Sequence, residues 1–179
     1  MHPDTLLGLQ MNGAPVPVDH GAPVRMVVPG WIGTYWVKWV GWLTVSANEI
    51  RNYRTDEYYV IDGKTVTLQN IKSSLSLPFP ASLQQGANTL YGFARSPGNK
   101  IARVEWSVDE GPWQDATLVS EPLEWGWVRF AFDWAATTGH HHIRTRAWDV
   151  SGHCQPEQAH MNPGTMLYNA VIPHPVEVS

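Results

Sequence analysis

Three consecutive histidines, His140-His141-His142, and a loop holding His153, Cys154 and His160 are the residues whose types could ligate a metal. Neighbouring side chains on a strand point to opposite faces, so three in a row cannot converge on one ion without a turn between them. The triplet is therefore expected as strand surface, and no metal site is expected from it. Cys154 is the only cysteine. That excludes an intrachain disulfide and a zinc site built on thiolates, and leaves Cys154 as a buried or idle thiol. Asp109, Glu110 and Asp149 fall in turn sequences, Asp109-Glu110-Gly111-Pro112 and Asp149 to Gly152, where acidic side chains accept bonds from backbone N–H groups. No Ser-His-Asp spacing specifies a nucleophile, and no glycine-rich phosphate loop of the P-loop type is present. The residues read alone nominate no catalytic group.

The elements that must carry these residues are strands. Ile101 to Val108 alternates, with Ala102, Val104, Trp106 and Val108 on one face and Arg103, Glu105 and Ser107 on the other. That is the period of a half-buried strand. Trp127 to Trp134 alternates again, with Val128, Phe130, Phe132 and Trp134 together. Ile143, Thr145 and Ala147 alternate with Arg144, Arg146 and Trp148. Further strands are expected at Val24 to Val28, Trp36 to Val45, Thr65 to Ile71, Thr89 to Ala94 and Met166 to Ile172. Residues 47 to 58 are expected to form one or two helical turns. From about residue 65 onward the pattern is six or seven short strands between turns, the signature of an antiparallel, immunoglobulin-like β-sandwich.

The first 60 residues differ. Their apolar runs are continuous rather than alternating, which suits strands buried on both faces of a larger body. The expected division is 1–46, part of such a larger body; 47–70, a linker; and 71–179, the sandwich. Ten tryptophans in 179 residues imply a large buried apolar area or an aromatic interface. Trp106 and Trp134 fall with apolar neighbours and are expected in the core. Trp127 and Trp148 fall beside arginines, which suits either an interface or a surface tryptophan covering a neighbouring stem.

A net charge of −4 and no basic stripe give no reason to expect nucleic acid or an anionic membrane. No apolar run approaches the roughly 20 residues of a membrane span. Met1 to Gln10 lacks the charged start and apolar run of a signal peptide, and nothing in the sequence names a compartment.

One long stretch narrows the reading. Met11 to Arg25, MNGAPVPVDHGAPVR, resembles the segment M-N-G-x-P-[LV]-P-x-D-H-G-x-P-[LVI]-R of the sulfite oxidase and plant-type nitrate reductase family. It continues as Val27-Val28-Pro29-Gly30 and then Val37-Lys38-Trp39, at the family's spacing. Further on, Gly92-Phe93-Ala94, Val104 to Asp109 with Trp113, Arg146-Ala147-Trp148-Asp149, Gln155-Pro156 and Asn162-Pro163-Gly164 are similar to its dimerisation domain.

The resemblance implies a molybdenum-molybdopterin oxidoreductase acting on a small oxyanion such as sulfite and forming homodimers through its sandwich. It implies that His20 and Arg25 contact the pterin and its phosphate, and that Lys38 and the backbone at Trp36 and Val37 complete that loop, although the family often has His where Trp36 stands. Arg offers phosphate a fixed bidentate fork, and neutral His donates or accepts at a ring edge. It implies as well that the cysteine ligating molybdenum lies roughly 150 or more residues upstream in the cofactor domain. The expectation is therefore the C-terminal part of such an enzyme, with 1–46 the irregular remnant of its α+β molybdenum-cofactor domain and 71–179 its immunoglobulin-like dimerisation domain, inactive and without bound cofactor as an isolated chain. The alternatives are an immunoglobulin-like binding or assembly module without catalysis, and a carbohydrate-binding sandwich using surface tryptophans.

Overall fold

A computed structural model describes residues 4–179. The chain forms two compact units, one of residues 1–69 with 162–166 and one of residues 70–161 with 167–179. The first holds only short strands: β1 (Leu6–Gly8), β2 (Gln10–Met11), β3 (Ala14–Pro15), β4 (Arg25–Val27), β5 (Val60–Ile61) and β6 (Lys64–Thr65). They pair two by two, β1 with β4, β2 with β3 and β5 with β6. Its buried apolar side chains among the described residues are Val16, Val28 and Val66, a thin core for that length of chain.

The second unit is a mainly β sandwich made from one curled sheet. Its strands are β7 (Lys72–Leu75), β8 (Ala81–Leu83), β9 (Gly86–Arg95), β10 (Ile101–Val108), β11 (Gln114–Leu118), β12 (Val128–Ala136), β13 (Gly139–Asp149) and β14 (His174–Val178). The order is β7-β9-β12-β11-β10-β13-β14-β8. Strand β11 joins the two layers: Ala116 pairs with Val104 of β10, and Thr117 pairs with Ala131 of β12. Every pairing is antiparallel except β14 with β8.

The alternating sequences fold as expected. Val128, Phe130, Phe132 and Trp134 all point into the core, with Val104, Trp106, Ile143 and Ala147 facing them. Trp106 stacks on Phe132 at 4.3 Å between centroids, an offset aromatic pair across the layers. A bulge between Ile101 and Arg103 shifts the first face of β10. Ile101 is buried and Ala102 exposed, the reverse of strict alternation, because the extra residue slips the register by one. Gly92 lies opposite Phe130. A Cβ there would sit 2.2 Å from the Phe130 ring and 2.6 Å from the Ser74 carbonyl, so the bare backbone is what lets the ring lie flat.

Other expectations fail for identifiable reasons. Trp36 to Val45 is not a strand. Trp39 adopts φ +52°, which breaks an extended run, and Trp42 and Val45 are almost fully exposed. Of Thr65 to Ile71, Thr65 ends β6 and the rest makes only an isolated bridge, Leu68 with Trp31. Residues 59–69, expected within a linker, bond into the first unit through Ile32 N–H to Thr67 O (2.7 Å) and Gln69 N–H to Gly30 O (2.9 Å). Residues 47 to 58 give one π turn, Arg54–Tyr58. Met166 to Ile172 is not a strand either; the last strand is β14, whose Pro175 disguised its alternation.

The loop after β13 is tied down by one buried amide. Gln155 Oε1 accepts from the Ser73 backbone N–H (2.8 Å) and the Ser73 hydroxyl (2.7 Å), while Gln155 Nε2 donates to Ala170 O (3.2 Å). The Ser73 hydroxyl also lies 2.9 Å from that of Thr145. Each of these groups is out of water, so each bond must be kept.

The histidine triplet sits on β13 as alternation requires. His140 and His142 are exposed, and only His141 turns inward. His141 Nδ1 lies 2.7 Å from the Asp109 carboxylate, and Asp109 also accepts the His142 backbone N–H (2.7 Å). No three His, Cys, Asp or Glu side chains gather as for a metal among the described residues. The Asp109 bond raises the His141 pKa above its ordinary value, against the opposing effect of burial.

Three consequences are measurable. Gly92→Ala lowers stability to urea by about 1–3 kcal/mol, because the added methyl displaces a packed ring or the backbone. Gln155→Leu lowers it by about 1–3 kcal/mol, the cost of leaving buried partners without a bond. A raised histidine pKa stabilises the fold below the unfolded value, 6.5, and that contribution is lost as pH rises through the folded value. Asp109→Asn therefore shows its largest deficit in melting temperature below about pH 6.5 and a smaller one at pH 8.

Candidate functional site

The expected site residues fall together on two packed loops of the first unit. Val18–His20 is a single 3-10 turn closed by Gly21. Gly21 has φ +113°, and a Cβ there would meet Lys38 at 3.0–3.1 Å; only glycine allows the second loop so close. The two loops are laced by their backbones: Met26 N–H donates to Val37 O (2.8 Å), Trp39 N–H to Gly21 O (3.2 Å) and Val40 N–H to Val24 O (2.9 Å).

This lacing sets the side chains. Arg25 Nη1 donates to the His20 carbonyl (3.0 Å), and its guanidinium lies 5.8 Å from the Trp36 ring centroid. Lys38 Nζ donates to the Asp19 carbonyl (2.6 Å). Trp36 is pinned by Nε1 donating to Trp31 O (3.1 Å). Thus His20, Arg25, Trp36 and Lys38 form one cluster, with Val37 supplying a backbone carbonyl. Arg25 Nε is buried without a hydrogen-bond partner among the described residues, an orphaned donor that a structure normally satisfies. Two cations held by neutral carbonyls rather than by carboxylates keep their charge available for an anion.

Sequence reasoning missed what braces this cluster. Trp39 Nε1 donates to Val18 O (2.8 Å), which fixes the turn carrying His20, and Gln69 Nε2 donates to Trp31 O (2.6 Å). Trp39 was legible as an apolar residue and as the end of the Val37-Lys38-Trp39 match, but not as a brace, because a left-handed tryptophan has no sequence signal.

On the sandwich, the outer side of β10 and β13 carries a closed charge network. Glu105 Oε2 accepts from Arg146 Nε and Trp148 Nε1, both at 2.6 Å. Burial alone would raise the Glu105 pKa, but those two bonds and the charges of Arg146 and Arg103 outweigh it and hold the carboxyl below its ordinary value. Arg146 lies 4.1 Å and Arg144 5.0 Å from the Trp113 ring. Asp149 accepts from Ser96 Oγ (2.8 Å) and from the backbone N–H groups of Ser151 (2.9 Å) and His153 (3.0 Å), the turn role expected of it. His153 Nδ1 pairs with Asp149 at 3.1 Å. Cys154 instead donates to the Gln155 carbonyl (3.3 Å), and burial pushes its thiol pKa up, away from reactivity.

Comparison with known proteins agrees with both units. The model of the oxidoreductase molybdopterin binding domain matches residues 1–54, and that of the Mo-co oxidoreductase dimerisation domain matches residues 69–178. Mitochondrial sulfite oxidase of Rattus norvegicus is 32% identical over 175 residues, 89% of this chain and 30% of that protein. Sulfite oxidase of Arabidopsis thaliana is 32% identical over 183 residues, 86% of this chain and 46% of that protein. The crystal structure of the sulfane dehydrogenase SoxCD from Paracoccus pantotrophus superposes with a TM-score of 0.86 at 26% identity, covering 99% of this chain and 51% of that one. The chain thus spans under half the length of these two curated relatives. It belongs to the sulfite oxidase family of molybdenum oxidoreductases, and carries part of the family's molybdopterin binding domain followed by its dimerisation domain.

Proposed function

We propose that this chain completes a molybdopterin pocket with its first unit and pairs two subunits with its second. The observation that carries the first half is the cluster of His20, Arg25, Trp36 and Lys38, in which Arg25 Nε lies buried without a hydrogen-bond partner among the described residues. A cofactor with an anionic phosphate tail would satisfy that donor, and it suits cations that, among the described residues, bond carbonyl oxygens rather than carboxylates. Arg25 would hold the phosphate, Lys38 would add a point charge, and His20 would bond a pterin edge. Val37 and the Trp36 ring keep Arg25 and the second loop in place. Molybdenum, when bound, supplies oxygen-atom transfer with a small oxyanion such as sulfite; the protein's part is to bind and orient.

The first unit contributes one wall of such a pocket, and a ligand of that size needs a largely enclosing site. The only thiol, Cys154, lies in the sandwich and bonds its own neighbour's carbonyl. The isolated chain is therefore inactive and retains no cofactor, and the wall works as part of a larger assembly. The family to which residues 69–178 belong is named for dimerisation, which favours pairing through the sandwich over a carbohydrate-binding role. No helix among the described residues is long and apolar enough to cross a membrane.

The purified chain is expected to contain less than about 0.1 molybdenum and 0.1 oxidised pterin per subunit, given how little of the pocket one wall encloses. Stoichiometric content would overturn the reading of an incomplete wall. In a longer form that does load the cofactor, Arg25→Ala is expected to lower bound pterin at least tenfold, the scale of losing one charge-assisted pair, while leaving subunit pairing intact.

A further inference from the structure

We propose that His140 and His142 together bind a divalent transition-metal ion such as Zn(II) on the outer face of β13, with water completing its coordination. Alternation keeps three consecutive histidines from converging, and the same alternation brings the first and third onto one face.

The three imidazoles have different fates. His141 turns inward, and both its nitrogens are engaged, Nδ1 with Asp109 at 2.7 Å and Nε2 with the Thr137 carbonyl at 2.8 Å. His140 and His142 stay exposed. Among the described residues, the ring bonds of the triplet are all His141's. The outer two rings therefore keep their nitrogens for an ion, and neutral imidazole is the commonest protein ligand for zinc, copper and nickel. The next residue on that face, Arg144, has its charge answered by Glu157 at 3.6 Å.

The backbone presents them as a ready pair. On one side β13 is bonded to β14, with His140 opposite Glu177 and His142 opposite Pro175. On the other, Asp109 accepts the His142 N–H (2.7 Å) and donates its own N–H to His142 O (2.9 Å). Extended residues two apart have Cα atoms about 6.6–6.8 Å apart. Two imidazole arms close that span on one ion with N–metal bonds of about 2.0–2.1 Å. A backbone already held extended loses little freedom on binding. Both rings line one open hollow of about 390 Å³ together with Ser82, Pro175 and Glu177, which leaves room for water ligands. Residues opposed on paired strands share a face, so Glu177 adds negative charge near the ion. No third His, Cys, Asp or Glu gathers as a ligand among the described residues. The site is thus open and exchangeable, unlike a closed structural one.

Isothermal titration calorimetry of the full chain with Zn(II) tests this at about pH 7.5, where an ordinary histidine is neutral, with far-ultraviolet circular dichroism to confirm that the variants fold. Two imidazoles are half the ligands of a structural zinc site and supply about half its binding free energy, which puts the dissociation constant at about 1–200 µM. His140→Gln and His142→Gln are each expected to raise it at least about tenfold, whereas His160→Gln leaves it within about twofold. Zinc bound equally well by the double variant His140→Gln/His142→Gln would overturn the site, and so would a loss seen with only one of the two single changes. A wild type that takes up no zinc at about 1 mM would overturn it as well.

Discussion

The amide of Gln155 is the constraint on which the sandwich depends. It is 2% exposed, and it bonds the backbone and hydroxyl of Ser73 on β7 and the carbonyl of Ala170. Its own N–H donates to Ala147 O on β13. An edge strand, a central strand and a long irregular segment are thus held by one side chain. An apolar core resists collapse but does not dictate which edge goes where; a buried polar group does, because only one arrangement satisfies it. Residues 167–171, which have no strand of their own, are held further by Asn169 Nδ2 donating to the Ile71 carbonyl (3.2 Å).

The apolar half of the fold was legible in the sequence. Where alternation is strong, as in Val128 to Trp134, the facing of each side chain follows from period 2 alone. What alternation cannot report is pairing through polar atoms. Strand β7 reads Lys-Ser-Ser-Leu and carries no apolar signal, yet Ser73 is buried because Gln155 and Thr145 wait for it. The long apolar run Trp36 to Val45 misled for the opposite reason. Its hydrophobicity is real, but its backbone bonds go singly to Gly21, Val24 and Met26 rather than to a ladder.

The candidate site was legible through motif resemblance and not through composition. His20, Arg25 and Lys38 are unremarkable residues in a loop; nothing in their spacing says that Gly21 lets the two loops meet or that Trp39 braces the turn beneath. That bracing gives the cluster its chemistry. Carbonyl partners hold Arg25 and Lys38 without neutralising them, whereas Arg144 and Arg146 of β13 meet the carboxylates of Glu157 and Glu105. One chain therefore contains basic residues with charge to offer and basic residues whose charge is spent, and burial and partners distinguish them.

The central claim is that the two units differ in what stabilises them: the sandwich by its own core and polar pin, the first unit by a handful of buried valines and loop-to-loop bonds. Amide hydrogen exchange on the native chain tests it most directly. Amides of β9, β10, β12 and β13 are expected to exchange only through global opening, and those of residues 18–40 at least about a hundredfold faster, as for regions with few buried contacts. Equal protection across both regions would contradict the account and mean that the first unit is as self-sufficient as the sandwich.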